Sequence, residues 1–338
     1  MTKIRTNVWF KTNLQHIPLH LIDAEDKIFC FIEESPGETE VLRRSIVQLG
    51  IIDPLIVQPG QKYRIVSGFK YFSIARDLGL SSLPAWVLKD NLSGPEILTI
   101  ALLAHSKPLS LIEKVKVIKT LSFLGVSTTQ ILQQYTSFLD IHSQRFIELY
   151  LRVSNYEPKL LCYISNHGLS LKQALAFEKL SSQEQSFLVS LATSLNLKGY
   201  DLHSILTHLK EIAIREGKRV LQVLQELELS VLLTGSRLTR SQKIAKIKEI
   251  IKSKRYPRLT EINKELAELK RRMKFSSSSK VSWDPRLEEP GLKLILKIIH
   301  PAYIQMLIKD LSNKENIAIF SNMLRFYYEG LSDKEGMD

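Results

Sequence analysis

The chain has 338 residues, 44% of them apolar, and 47 Lys and Arg against 35 Asp and Glu give a formal charge of +12. That length predicts two or three domains with enough apolar material for real cores, and the apolar share excludes wholesale disorder. The two cysteines, Cys30 and Cys162, lie in no CxxC pair and cannot build a disulfide framework, which argues against structural zinc and thioredoxin-type chemistry.

The amino-terminal stretch MTKIRTNVWFKTNLQH has no apolar h-region, so no signal peptide is expected. No run approaches the roughly eighteen apolar residues a membrane helix needs, and a cytoplasmic protein with no membrane partner is expected. Residues 15–92 then read as a mixed α/β domain. IPLHLI (17–22) has strand texture, ETEVLRRSIVQLG (38–50) is a helix closed by Gly50, and PLIVQ (54–58) and YRIVSG (63–68) are short β-branched runs around a Pro59-Gly60 turn. FKYFSIARDLG (69–79) returns to helical spacing, with Phe72, Ala75 and Leu78 on one face, and LPAWVL (83–88) is a further strand. Charge is balanced here, with 11 basic and 11 acidic residues over positions 1–100.

Residues 93–235 read as helical throughout. Ser or Thr followed three residues later by Glu or Gln recurs at Ser93–Glu96, Ser110–Glu113, Ser127–Gln130, Ser170–Gln173, Ser181–Glu184 and, further on, Thr239–Gln242. Each predicts a capping box at a helix start. Gly125, Gly168, Gly199 and Gly217 are the expected helix stops.

Within this region STTQILQQYTSFLDIHSQRFIELYLRV (127–153) has the pattern of a helix-turn-helix. The first helix starts at Ser127 and buries Ile131, Leu132 and Tyr135. Residues 138–142 turn, with Asp140 or His142 taking the special backbone conformation. Ser143 caps a second helix that buries Phe146, Ile147, Tyr150 and Leu151. Ser143, Gln144 and Arg145 then lead the helix that would enter a major groove, where Gln and Arg suit bidentate contacts to adenine and guanine. Thr128, Thr129 and Lys172 are further candidate DNA contacts. An ordinary helical hairpin is the alternative.

The segment 236–275 predicts two amphipathic basic helices broken at Pro257, the first with an apolar stripe of Ile244, Ile247 and Ile251. Residues 236–280 hold 15 basic and 4 acidic side chains, so +11 of the +12 sits in this stretch. A local concentration of cations fits phosphate contact, with Arg237, Arg240, Lys243 and Lys246 as candidates. SSSSKVSWDPRLEEPG (276–291) reads as a linker, and 292–330 as a strand (292–299) and two helices forming a dimerisation region. The eight histidines show no metal-ligand spacing, His203 and His208 included, and no GxxxxGK[ST] phosphate loop is present.

The order of these elements resembles the ParB-type chromosome and plasmid partition proteins over about residues 15–230. The resemblance is carried by Ser45-Ile46-Val47-Gln48-Leu49-Gly50, Pro54-Leu55-Ile56-Val57 and Ile65-Val66-Ser67-Gly68. It continues at Leu109-Ser110-Leu111-Ile112-Glu113-Lys114, at Ile141-His142-Ser143-Gln144-Arg145-Phe146-Ile147 with Arg152-Val153, and at Gly168-Leu169-Ser170 with Ala174. It implies an α+β ParB/sulfiredoxin-like amino-terminal domain, an all-α helix-turn-helix domain and a small α/β carboxy-terminal region, predominantly helical overall. It also implies a nucleoid-associated homodimer on double-stranded DNA, in partition or related transcriptional regulation, with a ParA-type ATPase as a candidate partner.

Two motifs depart from the family. Its CTP-hydrolysing members carry Gly-Glu-Arg-Arg where this chain has Gly68-Phe69-Lys70-Tyr71, and Glu-Asn-x-x-Arg where it has Ala104-His105-Ser106-Lys107-Pro108. A triphosphate with its metal needs several cations and a hard oxygen ligand. No cofactor and no enzymatic turnover are therefore expected, and Gly68, Lys70, His105, Ser106 and Lys107 mark where CTP with Mg²⁺ would sit. The rival readings are a nucleotide-using enzyme on this fold, of CTPase or free-serine-kinase type, and an adaptor that has lost DNA binding. Sulfiredoxin chemistry is excluded because residues 69–73 contain no cysteine.

Overall fold

The computed structural model describes residues 14–33, 36–229, 238–275, 279–296, 298 and 300–332. The chain is predominantly helical, with one mixed five-stranded sheet near its amino terminus, and it divides into two compact units, residues 1–206 and 207–338.

The first unit opens on β1 (Gln15–Pro18), a single 3-10 turn (Leu19–Leu21) and β2 (Ile22–Asp23). The single strand expected over 17–22 is therefore broken. Pro18 has no N–H to extend a ladder, and the chain turns after it so that β1 and β2 join opposite edges of the sheet. Helix α1 (Pro36–Leu49) follows, then β3 (Leu55–Gln58), β4 (Tyr63–Ser67), α2 (Phe69–Asp77) and β5 (Ser82–Val87). Spatial order is β1-β5-β3-β4-β2; β3 runs parallel to β5 and antiparallel to β4. Strand alternation sends Leu55, Val57, Leu83, Ala85 and Val87 to one buried face, where Phe72 and Ala75 of α2 meet them. Burial of such side chains contributes about 1.5–3 kcal/mol each.

Helices α3 (Gly94–Leu103), α4 (Leu111–Phe123), α5 (Thr128–Gln134), α6 (Thr136–Leu139) and α7 (Gln144–Val153) come next. The unit continues with α8 (Pro158–Asn166), α9 (Leu171–Leu175), α10 (Ser182–Ser194) and the start of α11 (Gly199–Glu216). In all six expected capping boxes the Glu or Gln side chain accepts the N-cap N–H, from Ser93 through Thr239. Gly125, Gly168 and Gly217 take positive φ at helix ends, but Gly199 does not. It opens α11, and the preceding left-handed residue is Asn196 (φ 42°). A Cβ at Gly199 would lie 2.7 Å from Leu169 Cδ1, so this glycine serves a close approach rather than a helix stop.

In the second unit, α12 (Val220–Glu226), α13 (Arg240–Arg255) and α14 (Pro257–Arg272) follow the end of α11. The apolar stripe of α13 is buried at Ile247 and Ile251, both fully enclosed, and half-buried at Ile244. Residues 276–291 are not a linker among the positions described. They contain β6 (Ser279–Trp283), which pairs antiparallel with β7 (Leu292–Leu296), and Val281 joins Leu266 and Met323 in one core. Lys280 is exposed and Val281 buried, so only part of β6 carries an apolar signal, and its pairing partner is supplied by residues further along. Helices α15 (Ala302–Leu311) and α16 (Lys314–Ser332) complete the unit.

An ion-pair network ties α13 to its neighbours. Glu216 at the end of α11 pairs with Lys218 (2.9 Å) and with Lys254 of α13 (3.3 Å), while Glu226 of α12 pairs with the same two lysines. Arg215 donates to the carbonyl of Lys254 at 2.7 Å, which satisfies an orphan acceptor at the end of α13. The Lys218 hydrogen bond, with those of Arg215 and Lys254, holds the Glu216 carboxyl down at about 2. A lowered carboxylate stabilises the fold above its unfolded value and loses that contribution as pH falls toward about 2. Glu216→Gln is accordingly expected to melt below the natural protein above pH ~5. The two melting curves should converge on acidification; a constant gap across that range would exclude the network as its source.

Candidate nucleic-acid interface and cleft

Helix α5 begins at the Ser127 box and buries Ile131; after Tyr135 the single turn α6 buries Leu139. Asp140 then takes the left-handed conformation (φ 51°), which a short polar side chain tolerates, and the chain reverses into α7. Ile147, Tyr150 and Val153 bury one face of α7 against α4 and α5, and Ile141 is buried in the turn. A two-helix element with a four-residue reversal results, its second helix presenting its amino end.

Ser143 stands at the N-cap of α7 in extended conformation, but its hydroxyl accepts no helix N–H, contrary to the cap expected there. A β-region N-cap without its side-chain bond leaves the leading amides of α7 to other acceptors. Gln144 Nε2 donates to Thr129 Oγ1 at 3.2 Å, so the two helices are linked at the exposed end. Arg145 is exposed and bonds to none of the described residues. Phe146, expected in the core, is 48% exposed. Burial of α7 is centred on Ile147, and Phe146 lies one residue, about 100°, away from it. Thr128 is half-buried, and Lys172 is exposed in the first turn of α9, a helix packed on α7. Further along, Arg152 is engaged with Glu178 at 3.0 Å.

The basic helices lie in the second unit. Arg237 is outside the described residues. Lys246 pairs with Glu249 at 3.0 Å, and Arg240 and Lys243 also have partners within the chain. Lys254 and Arg255 are committed to carboxylates of α11 and α12, Arg255 with Glu211 at 2.5 Å. Lys252, Arg258, Lys264 and Arg272 are instead exposed, with side chains bonded to none of the described residues. Segment charge located the basic region but could not separate cations spent on packing from those facing solvent.

In the first unit a cleft of about 760 Å³ gathers Gly68, Lys70, His105, Ser106 and Lys107. Gly68 has φ +99° and precedes α2, with a Cβ there only 2.9 Å from Leu55 Cγ. The other walls come from α1, the 29–33 segment, β5 and the 104–108 segment. Glu38 of α1, which the sequence did not single out, accepts from Lys107 at 2.8 Å and from Lys70 at 3.3 Å. Those contacts, Lys107 first, hold its carboxyl below the ordinary carboxylate range. Tyr71 donates to Asp53 at 2.8 Å, and burial followed by that bond pushes its phenol up to about 12. His105 Nε2 is enclosed with no hydrogen-bond partner, its ring edge-on to Phe31 at 5.9 Å.

The carboxylates on the wall are Glu33, Glu38, Asp53 and Glu113, and the cations are Lys70 and Lys107, a balance of −2. Glu113 caps Ser110 and accepts the Glu33 N–H, so it is bound up in local structure. A triphosphate would meet two cations already paired with Glu38, which leaves that trio a net charge of only +1. Among the described residues no group of three or more His, Cys, Asp or Glu could hold a metal ion, and no helix is long and apolar enough to cross a membrane.

No protein-family model matches the chain, and no curated protein does. Solved structures to which it is similar are chromosome-partitioning proteins and a related amino-terminal domain. One is the C-terminally truncated ParB from Caulobacter crescentus complexed with CTP-gamma-S, at 18% identity over 54% of this chain and 99% of that one, with a TM-score of 0.26. The same protein complexed to the centromeric parS site matches at 16% identity over 57% and 98% of the two chains, TM-score 0.30. A Pnob8-like ParB-N domain matches at 15% identity over 71% and 100%, TM-score 0.35.

Proposed function

We propose that the chain is a ParB-like duplex-DNA-binding protein that reads its site through the helix-turn-helix of α5–α7, acting in chromosome or plasmid partition or in related transcriptional regulation. The observation that carries this reading is the exposed amino end of α7. There Arg145 is exposed and bonds to none of the described residues, Gln144 is braced by Thr129, and the leading amides are not capped by Ser143. Arg145 suits guanine O6 and N7, and the exposed ring of Phe146 suits the methyl group of a thymine. Lys172 and the free cations Lys252, Arg258, Lys264 and Arg272 supply phosphate contacts that fix register without reading sequence.

Pairing of two copies through the carboxy-terminal region completes the reading. Ile295, Ile298, Ile304, Met306, Ile308 and Ile317 are each about half-exposed there, and β6–β7 is only a two-stranded ladder. An exposed apolar surface beside unpaired strand edges is the kind of face that a second copy covers. Two α7 helices would then read two half-sites.

Sequencing the DNA that co-purifies with the protein gives the target. On that target Arg145→Ala is expected to cost about 1–3 kcal/mol while leaving nonspecific binding unchanged. Equal losses on target and random DNA would exclude Arg145 as a base reader. The enzyme reading is disfavoured by the cleft's charge: carboxylates outnumber cations on the wall that a triphosphate would approach.

A further inference from the structure

Glu38 lies in the first turn of α1, and its two carboxylate oxygens each hold one lysine. Lys70 comes from the first turn of α2, two residues after Gly68, and Lys107 from the segment joining α3 to α4. Three segments that are 32 and 69 residues apart along the chain thus meet at a single carboxylate. Among the described residues no other lysine or arginine lines the cleft. One anion between two ammonium groups is the geometry of a bound ligand, except that this anion belongs to the chain.

We propose that Glu38 is a resident anion: it fills the cationic position of the cleft and latches α1 to α2 and to the 104–108 segment without a diffusible phosphate-type ligand. Solvent-exposed ion pairs are individually weak. This one is intramolecular, however, and a tethered group acts at an effective concentration on the order of millimolar or above. A diffusible anion must displace it to reach both lysines, so the apparent affinity of that anion is lowered. The remaining wall, among the described residues, offers no further cation to a second anion: its other carboxylates are Asp53, which accepts from Tyr71, Glu33, which pairs with Lys116, and Glu113, which is held in the Ser110 capping box. The cleft therefore keeps a ligand-binding shape while both of its lysines are already engaged from within.

The test uses the full-length protein and inorganic tripolyphosphate, with binding followed by calorimetry. Glu38→Gln is expected to bind tripolyphosphate about tenfold more tightly than the natural chain, since it removes a competing charge and frees two cations. The gain should vanish in the Glu38→Gln, Lys70→Met, Lys107→Met combination, which also measures the background from the basic helices. Glu38 is 54% exposed, so the isosteric change is compatible with the fold, and Glu38→Ala provides the same readout through a different side chain. Equal affinity in the natural chain and both Glu38 variants would overturn the proposal. So would a gain that survives loss of both lysines. No DNA enters the measurement, so its outcome is separate from that of the DNA-binding reading.

Discussion

Gly68→Ala is expected to destabilise the first unit by about 2–5 kcal/mol, the sum of a backbone and a packing cost. The backbone cost arises because φ at Gly68 is +99°, a region in which a Cβ crowds the following carbonyl. The packing cost arises because the added Cβ would sit 2.9 Å from Leu55 Cγ and 3.3 Å from Leu55 Cα. Leu55 is fully buried at the start of β3, among Val57, Ile65 and Ala85, and its Cα belongs to a strand paired on both sides. Neither atom can retreat without shifting the sheet. Gly125→Ala provides the contrast, since φ there is +79° but nothing lies within 4 Å of the added Cβ. That change should cost only the torsional part, about 1–2 kcal/mol. Hydrogen exchange of peptides from β3, β4 and α2 separates the two, because the chain has two units and a single global midpoint would mix them. Equal loss of protection in the two variants would show that Leu55 yields and that the close approach at Gly68 carries no cost.

Features legible in advance were those written in a few adjacent residues. A capping box needs only a hydroxyl and a carboxylate or amide three positions apart, and all six starts from Ser93 to Thr239 are helix starts. The helix–reversal–helix order of 127–153 was readable for the same reason, and of the two residues expected to take the special turn conformation, Asp140 and His142, Asp140 is the one with positive φ. Misreadings occurred where a distant partner decides. Gly199 has the composition of a stop, but Leu169, thirty residues earlier, packs over it. Strand β6 looked like a linker because its partner, 292–296, contributes the ladder. Phe146 is as apolar as its neighbour, but the burial of Ile147 on the face of α7 toward α4 and α5 turns Phe146 outward. In the cleft, Lys70 and Lys107 were legible as cations near Gly68 and His105. Their counterpart, Glu38 between Lys70 and Lys107, depends on tertiary contacts that no local spacing encodes.

Asn316→Leu is expected to destabilise the second unit by about 2–4 kcal/mol, because it removes three hydrogen bonds to main chain and leaves the Lys274 N–H and carbonyl without their partner. Asn316 is fully buried near the start of α16. Its Oδ1 accepts the Lys274 N–H at 2.9 Å, and its Nδ2 donates to the carbonyls of Lys274 (3.1 Å) and Asp310 (2.8 Å). One amide thus joins the chain beyond α14, the last turn of α15 and the start of α16. Leucine matches the size but satisfies none of these groups, and Phe275 and Phe320, packed edge-on at 5.8 Å nearby in sequence, belong to the same core. Asn316→Asp discriminates the hydrogen-bonding cause from a packing one. It keeps the shape and the acceptor for Lys274 N–H but turns a donor into an anion facing two carbonyl oxygens. The penalty of that variant should therefore shrink as pH falls and the new carboxyl takes up a proton, whereas the Asn316→Leu penalty should not change with pH. Denaturant melts of the two variants at neutral and acidic pH decide the matter. If neither near-isosteric variant loses stability at either pH value, the role of Asn316 is to fill space, and its hydrogen bonds do not hold α14, α15 and α16 together.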